Sequence, residues 1–305
     1  MMGGDFAPLE ALKGIHQYLE EGKAHLVLIG DEEKIRASLT DNALPTAAYT
    51  LVHASQEIGM HEHPTRALKE KQQSSIAIGF QMLASSETDA FISAGNTGAM
   101  LVGALYALKP LEGVLRPTIS TIIPKENGTT GLLLDVGLNS DCKPEHLNQF
   151  AIMGTVYAQH ILGIDHPRVA LLNIGEEEGK GNLLAQATYP LLKENKHIDF
   201  IGNVEGRDLL VDKADVMVCD GFTGNIILKL AESLFEITDR KEMKDPYFER
   251  FNFENYGGTP VLGISKPVII GHGISRGKSF KNMILLAQKM IEKDVMQKMK
   301  AEVEA

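Results

Sequence analysis

Short apolar runs that stop abruptly at glycine, asparagine or aspartate are the feature that most limits this chain's choice of fold. Five strand ends share that punctuation: Ser93-Ala-Gly-Asn-Thr-Gly98, Asn173-Ile-Gly-Glu-Glu-Glu-Gly-Lys180, Gly202-Asn-Val-Glu-Gly206, Asp220-Gly-Phe-Thr-Gly-Asn225 and Gly271-His-Gly273. Asp135-Val-Gly-Leu-Asn139 is a weaker sixth. Between the runs lie stretches with three- and four-residue apolar spacing, which reads as helix. Strands alternating with helices favour a mostly parallel sheet covered on both faces. The expected fold is therefore α/β, with three α/β/α layers. Such sheets bind ligands outside the carboxyl ends of their strands, where the small and amide residues collect.

The stretch from Asp89 to Met100 shows the pattern most clearly. Ala90, Phe91 and Ile92 suit a buried strand, and Met100, Leu101, Ala104, Leu105 and Leu108 give a helix from Thr97 onward. Asn96 or Thr97 can cap that helix. Free N–H groups in a first helical turn attract anions, and Gly95 and Gly98 allow close approach. An ordinary strand-to-helix turn has the same look.

Elsewhere the pattern predicts a β-hairpin around Asn127-Gly128 and helices over Glu145–Leu162 and Asn225–Phe235. It predicts one helix over Lys69–Leu83 and one from Phe280 to the C-terminus, with Tyr256–Pro260 as a loop. Ser74 and Ser75 then fall inside a helix, where serine is unfavourable unless it bonds to something, so a ligand contact is expected of them.

The length of 305 residues allows a sizeable core. A formal charge of −10 argues against nucleic acid as partner. No run of eighteen apolar residues occurs and no basic-then-apolar leader is seen. Two cysteines, Cys142 and Cys219, fit a reducing cytoplasm.

Asp220, Thr223 and Asn225 crowd one turn, where a capping role and a functional one are compatible. Lys180 stands between Gly179 and Gly181, and a mobile lysine can meet a phosphate or a developing oxyanion. Glu176, Glu177 and Glu178 are consecutive and cannot all face one ion, so no metal is expected. His61 and His63 with Glu62 lack a fourth ligand and read as loop. His272, flanked by glycines after a strand, suits general acid–base work. No cysteine has a plausible base beside it in sequence, which disfavours a covalent acyl-enzyme.

Taken together, the motifs resemble the PlsX family of phosphate acyltransferases, which convert acyl-acyl-carrier protein and inorganic phosphate into acyl phosphate. The matching segments begin with Met2-Gly-Gly-Asp-Phe-Ala-Pro8, Ser93–Ala99 and Asp141-Cys-Lys-Pro-Glu-His-Leu147. Asn173–Glu176 with Lys180-Gly181, Gly202–Glu205, Asp220–Asn225, Tyr256-Gly-Gly-Thr-Pro260 and His272-Gly273 follow in the family's order. The resemblance implies a fold similar to isocitrate and isopropylmalate dehydrogenases and to phosphotransacetylase. It implies one two-lobed domain over residues 1–305, a homodimer, no cofactor and no metal. It also implies a cytoplasmic enzyme peripheral to the inner face of the membrane, supplying a glycerol-3-phosphate acyltransferase in phosphatidic acid synthesis.

By the same resemblance, Lys180, His272, Asp220 and Asn225 are the catalytic candidates. Asp5, Ser93, Gly95, Asn96, Thr97, Gly98, Asn139, Asn173, Asn203, Glu205 and Thr223 are the candidates for binding phosphate and substrate. The family has a strand before the Met-Gly-Gly-Asp turn, and its membrane-touching helical hairpin falls between Leu230 and Tyr256. Here 231–256 is short and charged, with Phe248, Phe251 and Phe253 at its end, so a reduced hairpin is expected. Gln72-Gln73-Ser-Ser stands where Lys-Asp-Ser-Ser is expected.

An acidic carrier protein calls for a local basic patch, and Arg276, Lys278 and Lys281 follow His272. The alternative activity is phosphotransacetylase- or phosphotransbutyrylase-like, exchanging coenzyme A and phosphate. A metal-dependent decarboxylating dehydrogenase would need clustered arginines, and here they are scattered. A non-enzymatic scaffold leaves the strand-end loops without a purpose.

Overall fold

The computed structural model describes residues 1–41 and 44–305. In chain order it begins with α1 (Leu9–Leu19), β1 (Leu26–Gly30), α2 (Glu32–Asp41) and β2 (Tyr49–His53). Next come α3 (Pro64–Glu70), α4 (Ser75–Ala84), β3 (Phe91–Ser93) and α5 (Thr97–Ala107). β4 (Thr118–Pro124), β5 (Thr130–Leu134), α6 (Pro144–Tyr157), β6 (Arg168–Leu172) and α7 (Leu183–Glu194) follow. The remainder is β7 (Asp199–Val204), β8 (Val216–Val218), α8 (Gly221–Arg240), β9 (Thr259–Leu262), β10 (Val268–Ile270), α9 (Gly277–Glu292) and α10 (Val295–Glu304).

The chain divides into two compact units, residues 1–109 with 253–292 and residues 110–252 with 293–305. In the first, β1 and β2 pair in parallel. β3 lies parallel to β10, Phe91 opposite Val268 and Ser93 opposite Ile270, and β9 runs antiparallel to β10. Leu12, Ile15 and Tyr18 of α1 pack with Leu28 and Ile284 into one apolar cluster. Burying such side chains contributes about 1.5–3 kcal/mol each. Gly14 permits the close approach of α1 to α9, since a Cβ there would sit 2.5 Å from the Gly277 carbonyl oxygen.

In the second unit the strand order is β4-β5-β8-β6-β7. β4 and β5 form the expected antiparallel hairpin, with Asn127 Oδ1 accepting the Thr129 N–H at 2.9 Å and Gly128 at φ +90°. β5, β8, β6 and β7 are mutually parallel. Leu132, Leu133, Leu134, Val216, Met217 and Val218 are wholly buried, as residues between two helical layers should be.

Three sequence expectations need correction. The helix expected over Lys69–Leu83 is two helices, because Ser74 is an N-cap: its Oγ accepts the Ala77 N–H at 3.3 Å. The serine pair therefore stands at a helix start, where serine is favoured. The helix expected from Phe280 onward breaks at Asp294, whose φ is +51°, and α10 belongs to the second unit. β9 takes up Thr259 and Pro260, which the sequence assigned to a loop.

Over 231–256, α8 continues to Arg240 and gives way to short 3-10 turns at Phe248–Phe251 and Phe253–Asn255. The Tyr247 ring meets Phe251 edge-on, 5.4 Å between centroids, and its hydroxyl donates to the Pro124 carbonyl. Arg250 donates to the carbonyls of Lys125 and Thr129. This segment is thus pinned to the β4–β5 hairpin. Among the described residues, no helix is long and apolar enough to cross a membrane.

Candidate active site

In the first unit three loops converge because of how β3 and β10 pair. Ser93 is opposite Ile270, and the Gly271 N–H donates to the Ser93 carbonyl at 2.9 Å, so both chains leave the sheet side by side. The Met2–Asp5 turn completes the cluster, with the Asp5 N–H donating to the Gly273 carbonyl at 2.8 Å. Gly3 must be glycine here: a Cβ would stand 2.4 Å from the backbone nitrogen of Gly95. Asp5, Ser93, Gly95, Asn96, Thr97, Gly98 and His272 are thereby brought together.

Their side chains are not equally available. Asn96 is buried; its Oδ1 accepts the Ala99 N–H at 2.9 Å, and its Nδ2 donates to the carbonyls of Gly59, Met60 and Glu62. It caps α5 and ties down the Gly59–Glu62 loop, and its amide has nothing left to donate to a ligand. Ser93 Oγ accepts the Gly95 N–H at 3.1 Å. Thr97 and Gly98 lie in the first turn, where N–H groups have no helical acceptor. His272 is exposed, with its ring 5.0 Å from that of Phe253, a neighbour the sequence reading missed.

Beside this cluster, the exposed Arg276 guanidinium lies 4.7 Å over the Phe6 ring. The Lys278 ammonium donates to Asn255 Oδ1. Lys281 differs from both, because Glu21 pairs with it at 2.5 Å.

In the second unit the parallel order puts the ends of β5, β8, β6 and β7 along one edge. Asp135, after β5, is fully buried and accepts N–H groups from Gly137, Leu138 and Asn139 at 2.9–3.0 Å. Burial pushes its carboxyl above the usual range despite those bonds. Asn139 spends its amide on Asp135 and on the Pro117 carbonyl. The start of α8 presses on this loop. A Cβ on Gly221 would lie 2.8 Å from the Asn139 carbonyl oxygen, and one on Gly224 would lie 1.9 Å from that of Asp135. The sequence marks these glycines as turn residues; only the packing shows why both are needed.

Asp220 caps α8, accepting the Thr223 N–H and hydroxyl, each at 2.9 Å. Asn225 is exposed, and its Oδ1 would stand 3.3 Å from a Cβ on Gly137. Lys180 is exposed on its loop, which Asn173 closes by donating from Nδ2 to the Lys180 carbonyl at 3.0 Å. Asn203 is buried; its Nδ2 donates to the Glu177 carbonyl, and its Oδ1 has no partner among the described residues. Glu205 pairs with Arg207, and its N–H donates to Asp208. Carboxylate oxygens of Glu176, Glu205 and Asp208 lie within 4.8 Å of one another. Lys213 already supplies a cation there, pairing with Glu176 at 2.5 Å and Asp208 at 2.9 Å.

Neither thiol is a ready nucleophile. Burial pushes Cys142 up to about 11 and Cys219 well above the ordinary thiol value. The polar groups on offer are instead, in the second unit, a helix N-terminus, amides and an exposed lysine, and, in the first, a helix N-terminus and an exposed imidazole. That inventory suits positioning and charge stabilisation.

Solved structures similar to this one share the fold. A phosphotransacetylase from Streptococcus pyogenes superposes with a TM-score of 0.69 at 17% identity, covering 94% of this chain and 92% of its own. A branched-chain phosphotransacylase from Enterococcus faecalis gives 0.62 at 16%, covering 95% and 99%. In sequence, the family model described as "Fatty acid synthesis protein" matches residues 1–244 and 238–298. The phosphate acyltransferase of Dictyoglomus turgidum is 44% identical over 97% of this chain and 94% of its own length. That of Thermoanaerobacterium thermosaccharolyticum is 42% identical over 99% and 95%. With identity at that level from end to end, the chain belongs to the phosphate acyltransferase family and is an acyltransferase.

Proposed function

We propose that this enzyme transfers a fatty acyl group from acyl-acyl-carrier protein to inorganic phosphate, giving acyl phosphate for phospholipid synthesis. A phosphate oxygen attacks the thioester carbonyl carbon, a tetrahedral oxyanion forms, and its collapse breaks the C–S bond. The carrier thiolate leaves and takes up the proton that phosphate gives up. In the first unit we assign phosphate to the N-terminus of α5, on the first-turn N–H groups of Thr97 and Gly98, with Asp5 and His272 orienting it or handling its proton. In the second unit we assign oxyanion stabilisation to Lys180 and Asn225, with Asp220 and Thr223 holding the turn that presents Asn225.

The observation that carries this reading is the convergence of the Gly3, Gly95 and Gly273 loops on the first turn of α5. Backbone packed that closely leaves N–H groups, rather than side chains, to meet an anion. Arg276 and Lys278 would receive the acidic carrier. The test is phosphate-dependent release of free carrier protein from its acyl thioester, run beside acyl coenzyme A. Release from the carrier alone is expected; equal or faster turnover of coenzyme A would transfer the assignment to the phosphotransacetylase type.

A further inference from the structure

α4 and α5 contain no charged residue, although a helix on a protein surface ordinarily shows a polar stripe. Between them, with α3 along one side, runs an open groove of about 560 Å³, a usual size for a ligand pocket. Ala77, Phe80, Val102, Gly103 and Ala107 line it, with Lys69, Gln72 and Gln81 at its rim. Gly103 lets the Phe80 ring rest directly on α5: a Cβ there would lie 2.2 Å from that ring. Tyr106, also lining the groove, is 82% exposed.

One end of the groove lies near the first turn of α5. Pro64 Cγ lies 2.3 Å from where a Cβ on Gly98 would stand, and the next residue, Thr65, lines the groove. At a rise of about 1.5 Å per residue, Thr97 to Ala107 covers about 15 Å. The geometry points to this groove as the seat of the substrate's acyl chain, an inference that rests on the acyl-transfer reading above. An apolar groove with a polar rim, one end of which lies near the proposed phosphate site, fits a flexible methylene chain.

A long-chain acyl carrier thioester bearing a terminal diazirine, photolysed on the intact enzyme, tests this without mutation. Labels on α4 and α5, within 77–84 and 102–107, are expected. Ala107→Phe and Ala84→Phe, which narrow the groove, should lower the ratio of long-chain to short-chain kcat/KM roughly tenfold. Labels confined to other segments would overturn the proposal, as would an unaltered ratio in the folded variants. A change in oligomeric mass with the ratio unaltered would also overturn it, by making the groove a contact between copies. Wild-type turnover of the short-chain thioester is the control: where it proceeds, the acyl-transfer reading stands and labels elsewhere remove the groove alone.

Discussion

Two lysines in the same unit show how surroundings decide a residue's work. Lys125 is fully buried and pairs with Asp215 at 2.7 Å and Asp212 at 3.1 Å, while Arg168 binds the same two carboxylates. Burial works against the Asp215 carboxylate, but hydrogen bonds from Arg168 and Lys125 outweigh it and hold the group far below its ordinary 3.8. The unfolded chain then holds more protons across that interval. The stability gained is complete above about pH 5 and is lost as pH falls toward the folded value. Asp215→Asn should flatten the acid limb of a stability–pH curve measured by denaturant unfolding; an unchanged limb would contradict this account. Lys180, in contrast, is exposed on a loop bracketed by glycines. Its ammonium is available to a ligand, and if it stabilises the oxyanion, Lys180→Ala should lower kcat on the order of a hundredfold. Unaltered turnover at saturating substrates would remove that role.

At the scale of elements, α8 poses the question of whether Asp220 is a cap or a reacting group. Its two contacts to Thr223 are those of an N-cap, and losing them should cost about 1 kcal/mol. Asp220→Ser keeps a capping oxygen without the carboxylate. The expected result is a Tm and kcat close to wild type in Asp220→Ser but lower in Asp220→Ala. A depressed kcat in a stable Asp220→Ser would give the carboxylate a role beyond capping. Much of this was legible beforehand. The strand-turn-helix at Phe91–Gly98, the hairpin at Asn127-Gly128 and the punctuated strand ends follow from local spacing and turn chemistry. What was not legible depends on partners distant in sequence. Asn96 looks like a ligand contact until the carbonyls of Gly59, Met60 and Glu62 occupy its amide. Ser74 looks misplaced until the helix is seen to begin there, and the need for Gly224 appears only when α8 meets Asp135.

Over the whole molecule, forty acidic residues against thirty lysines and arginines give the formal charge of −10, which must repel an acidic carrier at long range. In the docking proposed above, Arg276 and Lys278 would attract it at contact, whereas Lys281 is already paired with Glu21. Salt acts on these two effects at different distances. The Debye length is about 30 Å at 0.01 M and about 8 Å at 0.15 M, so moderate salt removes the distant repulsion first. Contact pairs inside that length weaken only as salt rises further. The KM for acyl carrier protein should therefore fall between low and physiological ionic strength and rise beyond it. Arg276→Glu combined with Lys278→Glu should abolish the rise and leave only the fall, while Lys281→Glu should change the curve least. A KM that declines steadily with salt in the wild type would show that no local basic patch receives the carrier. A minimum that persists in the double variant would place the patch on other residues.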